Sequence, residues 1–114
     1  MRKQRDTPVT IYRILLYLSR MKNSNEDSRR LVRIERATGI DRKELRFFLN
    51  KMVLNELIES NISGRKGRGG HNIISWSITE AGRMWRSDIG RLIQLGQRME
   101  IYPESFFYLP SDGF

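Results

Sequence analysis

Apolar residues recur every three or four positions in two stretches near the start of the chain, and this spacing predicts two α-helices. The first stretch follows Thr7-Pro8, a capping hydroxyl and a proline that suits the first helical position, and it ends at Asn23-Ser24-Asn25. The second covers about Leu31 to Thr38. Gly39 ends it, because glycine readily adopts the left-handed conformation that follows many helices.

The same spacing predicts a third and a fourth helix further along the chain. Asp41 is the expected N-cap of the third helix, and Asn55 its left-handed terminator. The inward side of this helix is apolar and consists of Leu45, Phe48, Leu49 and Met52. Thr79 is the expected N-cap of the fourth helix, which extends to about Met99.

Two segments between these helices have the composition of short β-strands, Leu57 to Ile62 and Ile73 to Ile78. The second segment alternates so that Ile74, Trp76 and Ile78 share one face. The residues between the two segments read GRKGRGG, from Gly64 to Gly70. This glycine-rich stretch is therefore predicted to form the tip of a β-hairpin.

The order of elements predicts an α+β fold with a three-helix core, a β-hairpin and a long C-terminal helix. We divide the chain into a basic arm over residues 1–6, a folded domain over residues 7–99 and a tail over residues 100–114. The tail contains aromatic residues and is acidic, since it has three carboxylates and no Lys or Arg. It is too apolar for an ordinary disordered segment, so we expect it to pack on its own domain, on a second copy or on another protein.

The charge of the chain favours an anionic partner. The 114 residues include 21 Lys and Arg against 13 Asp and Glu, a net charge of +8. Sixteen of the cations are arginines, whose planar guanidinium groups suit phosphates and guanine edges. Nucleic acid is therefore the first expected partner, and an anionic membrane surface the second.

The sequence gives little support to catalysis, metal binding or membrane insertion. It has no cysteine, and His71 is its only histidine, whereas a metal site needs several ligands. No apolar run approaches the ~20 residues of a membrane span, and no secretion signal is recognisable. We expect a cytoplasmic protein that is not an enzyme and needs no cofactor.

The segment LVRIERATGIDRKELRFFLNKMVLNELIES (Leu31 to Ser60), with ISWSITEAGRMW after it, resembles the winged helix-turn-helix domain of small archaeal and bacterial transcription regulators. The resemblance covers about residues 7–99 and implies a winged-helix fold that binds DNA. Two positions depart from the family pattern. Glu35 stands where the family often has alanine, and Glu56 where it often has glycine, so Asn55 is expected to take over the role of that glycine.

In a helix-turn-helix the third helix of this domain enters the major groove of DNA. The outward side of that helix carries the expected base and phosphate contacts, Arg42, Lys43, Arg46 and Asn50. Phe47 lies beside them and is expected to be partly packed. On the second helix a row of arginines could hold the DNA backbone: Arg29, Arg33 and Arg36. The alternative for both sets is a solvated basic surface.

The stretch GRKGRGG fits a DNA-binding wing better than other glycine-rich motifs. It lacks the Gly-Lys-Ser/Thr and the strand-to-helix transition of a phosphate-binding loop, and it contains only one Arg-Gly-Gly copy. We predict that Arg65, Lys66 and Arg68 contact the DNA backbone or the minor groove. The alternative is a solvated turn without a ligand.

The fourth helix carries an apolar stripe that consists of Trp85, Ile89, Leu92, Leu95 and Met99. Part of the stripe is expected to pack on the first helix, and the rest to form a two-fold homodimer together with the aromatic tail. The sequence thus predicts a sequence-preferring, double-stranded DNA-binding transcriptional regulator that acts as a homodimer on the nucleoid. The alternative is a non-catalytic architectural or assembly module that coats DNA or assists partition or replication, and RNA binding is a more distant third interpretation.

Overall fold

The computed structural model describes residues 7–66, 68–70, 72–103 and 109–112, without the side chains of residues 65, 66 and 68. Its helices and strands are α1 (Thr7–Arg20), α2 (Leu31–Thr38), α3 (Arg42–Leu54), β1 (Ile58–Lys66), β2 (Asn72–Ile78) and α4 (Glu80–Arg98). This order confirms the predicted α+β architecture and is compatible with a winged-helix-like arrangement. Within these residues, no helix is long and apolar enough to cross a membrane.

Helix α1 forms the centre of the core. Residues 14–18 are all buried, which leaves this part of the helix no solvent-facing side. A helix that is apolar all round must be covered on every side, and α1 accordingly contacts α2, α4 and β2. The helix ends at Arg20, earlier than predicted, and the polar residues Glu26–Arg29 form a short 3-10 helix before α2.

The turn between α2 and α3 has the predicted geometry. Gly39 lies in the left-handed region with φ 70°, and its N–H donates to the Glu35 carbonyl at 2.9 Å. The Thr38 hydroxyl donates to the Ile34 carbonyl at 2.7 Å and accepts from the Ile40 N–H at 3.4 Å. Asp41 caps α3 by accepting from the Lys43 N–H at 3.2 Å. Capping and side-chain hydrogen bonds thus fix both ends of a very short connection.

The connection from α3 to β1 differs from the prediction. Asn55 has an ordinary φ of −98°, and the left-handed residue is Glu56, with φ 61°. Glu56 therefore occupies the conformation for which glycine is better suited. The Thr79 hydroxyl lies within hydrogen-bond distance of the Glu56 and Leu57 carbonyls, at 2.7 and 2.9 Å, and these contacts hold the strained residue against the start of α4.

Strands β1 and β2 form an antiparallel hairpin in which Ile58 lies opposite Ile78 and Ile62 opposite Ile74. In the outer part of β2 the buried residues are Ile73 and Ser75, while Ile74 is 42% exposed. A β-bridge between Arg30 and Ser75 adds a third chain segment beside β2. The 3-10 helix also packs on this strand.

The hairpin tip is shorter than the stretch GRKGRGG. Strand β1 continues to Lys66, which pairs with Asn72, and the register shifts between Ile62 and Lys66. The described part of the turn is Arg68–Gly70, where Gly69 and Gly70 have φ values of 75° and 77°. Gly67 and His71 lie outside the described residues.

Helix α4 needs a glycine where it crosses the start of β1. A Cβ atom on Gly82 would overlap the Leu57 carbonyl oxygen and lie 2.8 Å from Ile78 Cγ1. At Gly90, by contrast, a Cβ would meet only the Tyr12 ring at 3.5 Å, an ordinary contact distance. Gly82 and Gly90, on the same helix, therefore provide a matched pair of substitutions.

We expect Gly82→Ala to lower the free energy of unfolding by about 1–3 kcal/mol, because the added methyl group overpacks a backbone contact. Gly90→Ala should raise the free energy of unfolding by up to about 1 kcal/mol, because alanine favours the helix interior and has room there. Chemical denaturation of both variants measures these changes. A Gly82→Ala protein as stable as the Gly90→Ala protein would contradict the packing described.

Candidate nucleic-acid interface

The outer side of α3 is polar and solvent-exposed along its first turns. Four of its exposed residues are those predicted from the sequence to face a ligand, Arg42, Lys43, Arg46 and Asn50. The opposite side is anchored in the core by Leu45, Leu49 and Met52. Because these anchors are nearly or completely buried, the rotation of α3 about its axis is fixed.

The four polar side chains differ in whether they already have a hydrogen-bond or ion-pair partner within the protein. Arg42 donates from Nε and Nη2 to Glu35 Oε1 at 3.0 and 2.7 Å, an ion pair that joins α2 to α3. Glu35 on α2 thus pairs with Arg42 across the turn between the two helices. Among the residues that the structure describes, the side chains of Arg46 and Asn50 have no hydrogen-bond or ion-pair partner. Their hydrogen-bonding groups are therefore available to a ligand.

An open cleft of about 550 Å³ lies between α3, the start of α2 and strand β2. Its polar lining is formed by Arg30, Arg42, Arg46, Asn50 and Asn72. Its apolar lining includes Val32, Ile74 and Trp76. No acidic residue is among the described residues that line it, although Arg30 and Arg42 pair with acids outside this lining. Arg46 is the cation of the lining that has no such pair among the described residues.

Arg30 belongs to this cleft although the sequence analysis did not single it out. Its backbone caps α2, forms the β-bridge with Ser75 and donates to the Asp27 carbonyl at 3.4 Å. Its guanidinium Nη1 lies 3.7 Å from Asp27 Oδ1, in a solvent-exposed ion pair. The backbone position is rigid because three contacts hold it, while the weak surface pair leaves the side chain able to exchange partners.

The predicted arginine row on α2 is divided by the fold. Arg29 precedes α2 and donates from Nη1 to the backbone carbonyls of Met21 and Ser24, at 3.3 and 2.6 Å, so it braces the end of α1. Arg33 and Arg36 are exposed on α2. Burial raises the pKa of the Tyr17 phenol, and the charge of Arg33 opposes this rise. Arg33 therefore lies near the core edge and outside the cleft lining.

The apolar flank of α3 faces away from the cleft. Phe47 is 56% exposed, and its ring and that of Phe48 pack edge to face at a centroid distance of 5.5 Å. The Lys51 ammonium lies 5.5 Å from the centre of the Phe47 ring. Leu54 follows at the end of the helix and is also exposed. The outer side of α3 thus offers both hydrogen-bonding and apolar groups.

The outer part of β2 lines the cleft, at Asn72, Ile73 and Ile74. The side chains of Arg65, Lys66 and Arg68, predicted to contact DNA, lie outside the described part of the chain. The outer half of β1 is attached to the 3-10 helix, because Ser63 Oγ donates to Glu26 Oε1 at 3.0 Å. The three cations are therefore carried on a strand pair that is held to the 3-10 helix before α2.

Helix α4 has two separate apolar sides. The inner side consists of Gly82, Ile89, Ile93 and Gly96, all buried. Ile89 thus packs in the core of its own chain, which corrects its assignment to a dimer surface, and Ile93 was missed. The other residues of the predicted stripe are between 46% and 61% exposed: Trp85, Leu92, Leu95 and Met99. Met84 and Ile101 are exposed as well, so a large apolar surface remains uncovered on the outer side.

The described part of the tail packs on its own domain. Tyr102 lies against Gly96, and Leu109 is completely buried in the core. The hydrogen bond from Arg20 lowers the pKa of the Asp112 carboxyl, as does a second one from the Leu109 N–H. The remaining aromatic residues of the tail lie outside the described residues: Phe106, Phe107, Tyr108 and Phe114.

No model of a known protein family, no curated protein and no solved structure matches this chain. What can be inferred of its function therefore comes from α3, the cleft and α4 themselves.

Proposed function

We propose that the chain is a winged helix-turn-helix protein of the kind that its sequence resembles, and that it binds double-stranded DNA. Helix α3 would enter the major groove, with the β1–β2 hairpin as the wing. One observation carries this proposal. Arg46 and Asn50, which have no partner among the described residues, face a cleft that three arginines line and no described acid enters.

The spacing of Arg46 and Asn50 suits the reading of two base pairs that are two steps apart. Residues four apart lie on one side of a helix and about 6 Å apart along its axis, close to the ~6.8 Å covered by two base-pair steps. Arginine recognises the O6 and N7 atoms of guanine, and asparagine the N6 and N7 atoms of adenine. Lys43 lies in the first turn of α3 and adds a cation there. In this arrangement the N-terminal end of the helix is the part that contacts base edges.

The remaining cations suit the DNA backbone. Arg30 and Arg42 line the cleft beside α3, Arg33 lies on the exposed side of α2, and the wing contributes Arg65, Lys66 and Arg68. Phosphate contacts of this kind position a protein on DNA and release counterions, so they make binding strongly dependent on salt. The apolar groups of the cleft would contact the sugars between the phosphates.

The outer side of α4 supports a homodimer. Trp85, Leu92, Leu95 and Met99 follow one another at intervals that the apolar seam of a coiled coil uses, with Asp88 filling the remaining position. A second copy of the chain offers the same surface and would cover it by two-fold symmetry. Two α3 helices in such a dimer can read two half-sites about one helical turn of DNA apart, ~34 Å. A dimer that reads a short palindrome on the nucleoid acts as a transcriptional regulator.

We expect Arg46→Ala to weaken binding to a preferred duplex by about 1–3 kcal/mol, roughly 5- to 150-fold, because one arginine contact to a base is lost. Arg98→Ala is the matched control, because it removes the same charge from the far end of α4. It should leave the dissociation constant within about twofold, as expected for a distant charge that is screened by salt. Fluorescence anisotropy at one fixed salt concentration measures both variants. Equal affinities of the two variants would contradict the placement of α3 on DNA.

A footprinting titration separates regulation from the architectural alternative. A bounded footprint at a preferred sequence is the result expected of a regulator. A footprint that spreads along the DNA as the protein concentration rises would instead support a coating or assembly module. Arg46→Ala adds a second criterion, since in the coating case it would weaken all sequences equally.

We expect the wild-type protein to sediment as a dimer at micromolar concentration and Leu92→Asp to sediment as a monomer. A carboxylate at this position would be buried without a partner in the dimer, whereas in the monomer it remains in water. Ile62→Asp is the control, because Ile62 is also exposed but lies on β1. A monomeric wild type in analytical ultracentrifugation, or equal effects of the two substitutions, would rule out the α4 dimer.

A further inference from the structure

The end of the tail is docked on the back of the helix-turn-helix. We call residues Leu109–Asp112 the clasp; Pro110–Asp112 form a 3-10 helix that packs on α2. Leu109 is completely buried and belongs to the same core cluster as Ile34 and Ile40, the residues on either side of the turn. The clasp is therefore part of the folded domain and reaches the connection between α2 and α3.

Pro110 lies directly against the turn itself. A Cβ atom built on Gly39 would be 3.1 Å from Pro110 Cγ, which is tighter than an ordinary contact. Gly39 is thus constrained twice, by its left-handed backbone and by the proline ring that covers it. The clasp closes the outer side of a turn whose inner side is held by the Thr38 hydroxyl.

A side-chain network holds the clasp in place. Arg20, the last residue of α1, donates from Nη1 to Asp112 Oδ1 and Oδ2 at 2.9 and 3.1 Å. Asp112 Oδ2 also accepts from the Leu109 N–H at 2.9 Å, so one carboxylate closes the clasp on itself and ties it to α1. The carboxylate of Asp112 thereby connects α1 with the end of the tail, beside the turn between α2 and α3.

We propose that the clasp positions α3: it holds the angle between α2 and α3 and thereby keeps Arg46 and Asn50 in the geometry that binds DNA. This inference rests on the proposed function for its DNA-binding part only. The turn has few residues, so a small change at Gly39 or Ile40 moves the whole of α3 relative to α2. A binding surface must be held within a fraction of an ångström to keep its affinity, and the rigid elements around it provide that support.

The position of the clasp also gives α4 a connection to the turn. Only six residues separate Tyr102, which packs against Gly96 near the end of α4, from Leu109. The end of α4 and the clasp are thus separated by only a short length of chain.

The test compares Asp112→Ala with Asp112→Asn and with the control Glu80→Ala, in the full chain. The alanine removes both acceptors of the network, whereas asparagine keeps one oxygen for the Leu109 N–H and for Arg20. Glu80 is an exposed acid paired with Arg83 at the start of α4, outside the apolar seam and remote in sequence from the clasp. Arg20→Ala opens the same ion pair from the α1 side and checks that the effect comes from the network.

Two measurements are made on each variant, well below its unfolding temperature. Asp112→Ala should speed amide hydrogen exchange at Gly39 and Ile40 by about tenfold, while the amides of Leu15 and Leu18 in α1 keep their protection. It should also weaken duplex binding by about five- to tenfold, a usual size for coupling through a fold, with an unchanged dependence on salt. Asp112→Asn should lie between the alanine variant and the wild type, and Glu80→Ala should match the wild type.

Three outcomes would overturn the inference. If Gly39 and Ile40 exchanged their amide hydrogens in Asp112→Ala at the same rate as in the wild type, the clasp would not restrain the turn. A parallel rise in exchange across α1 would mean that Asp112 only stabilises the whole fold. Faster exchange at the turn with unchanged duplex affinity would mean that the turn is held without any effect on α3. If the wild type bound no duplex at all, the proposed function would fail, and the exchange data alone would decide whether the clasp holds the turn.

Discussion

The left-handed turn at Gly39 is the constraint on which the candidate binding surface depends. The contacts that set the direction of α3 all lie within a few residues of this turn. Ile40 is buried beside it, Asp41 caps α3, and the Glu35–Arg42 ion pair bridges the two helices. No single contact is strong, since the ion pair is half-exposed and a capping hydrogen bond contributes only about 1 kcal/mol. Together they leave the connection one conformation, and that conformation places the polar side of α3 towards solvent.

The local chemistry of the chain was sufficient to predict most of the elements. Helix α2 has the predicted bounds, and Asp41 and Thr79 cap α3 and α4 as expected, because capping depends on residues close in sequence. The exposed side of α3 also followed from its periodicity, since Leu45 and Leu49 are deeply buried. The candidate contacts Arg46 and Asn50 were accessible to sequence reasoning for the same reason.

The features that escaped prediction depend on contacts between distant segments. The exposure of Ile74 beside the buried Ile73 was not predicted, because it depends on segments distant in sequence that pack on β2. The bridge between Arg30 and Ser75 places Arg30 beside the cleft, and no periodic pattern marks it. On α4, the spacing of apolar residues could not distinguish Ile89, which packs in the core, from the exposed positions around it. Glu56 was missed for another reason. Its left-handed backbone is disfavoured for glutamate, and the hydrogen bond from the Thr79 hydroxyl to its carbonyl holds it in that conformation.

The central claim is that the surface of α3, the start of α2 and the hairpin binds duplex DNA, while α4 serves another partner. Titration of the isotope-labelled protein with a short duplex, followed by the shifts of backbone amide signals in NMR spectra, tests this division of surfaces directly. The account predicts that the largest shifts cluster at residues 30–33, 42–50 and 64–74, and that the amides on the outer side of α4 change little. Shifts centred on Trp85 to Met99, or none at a duplex concentration of about 1 mM, where even non-specific binding to a basic surface is detectable, would contradict it.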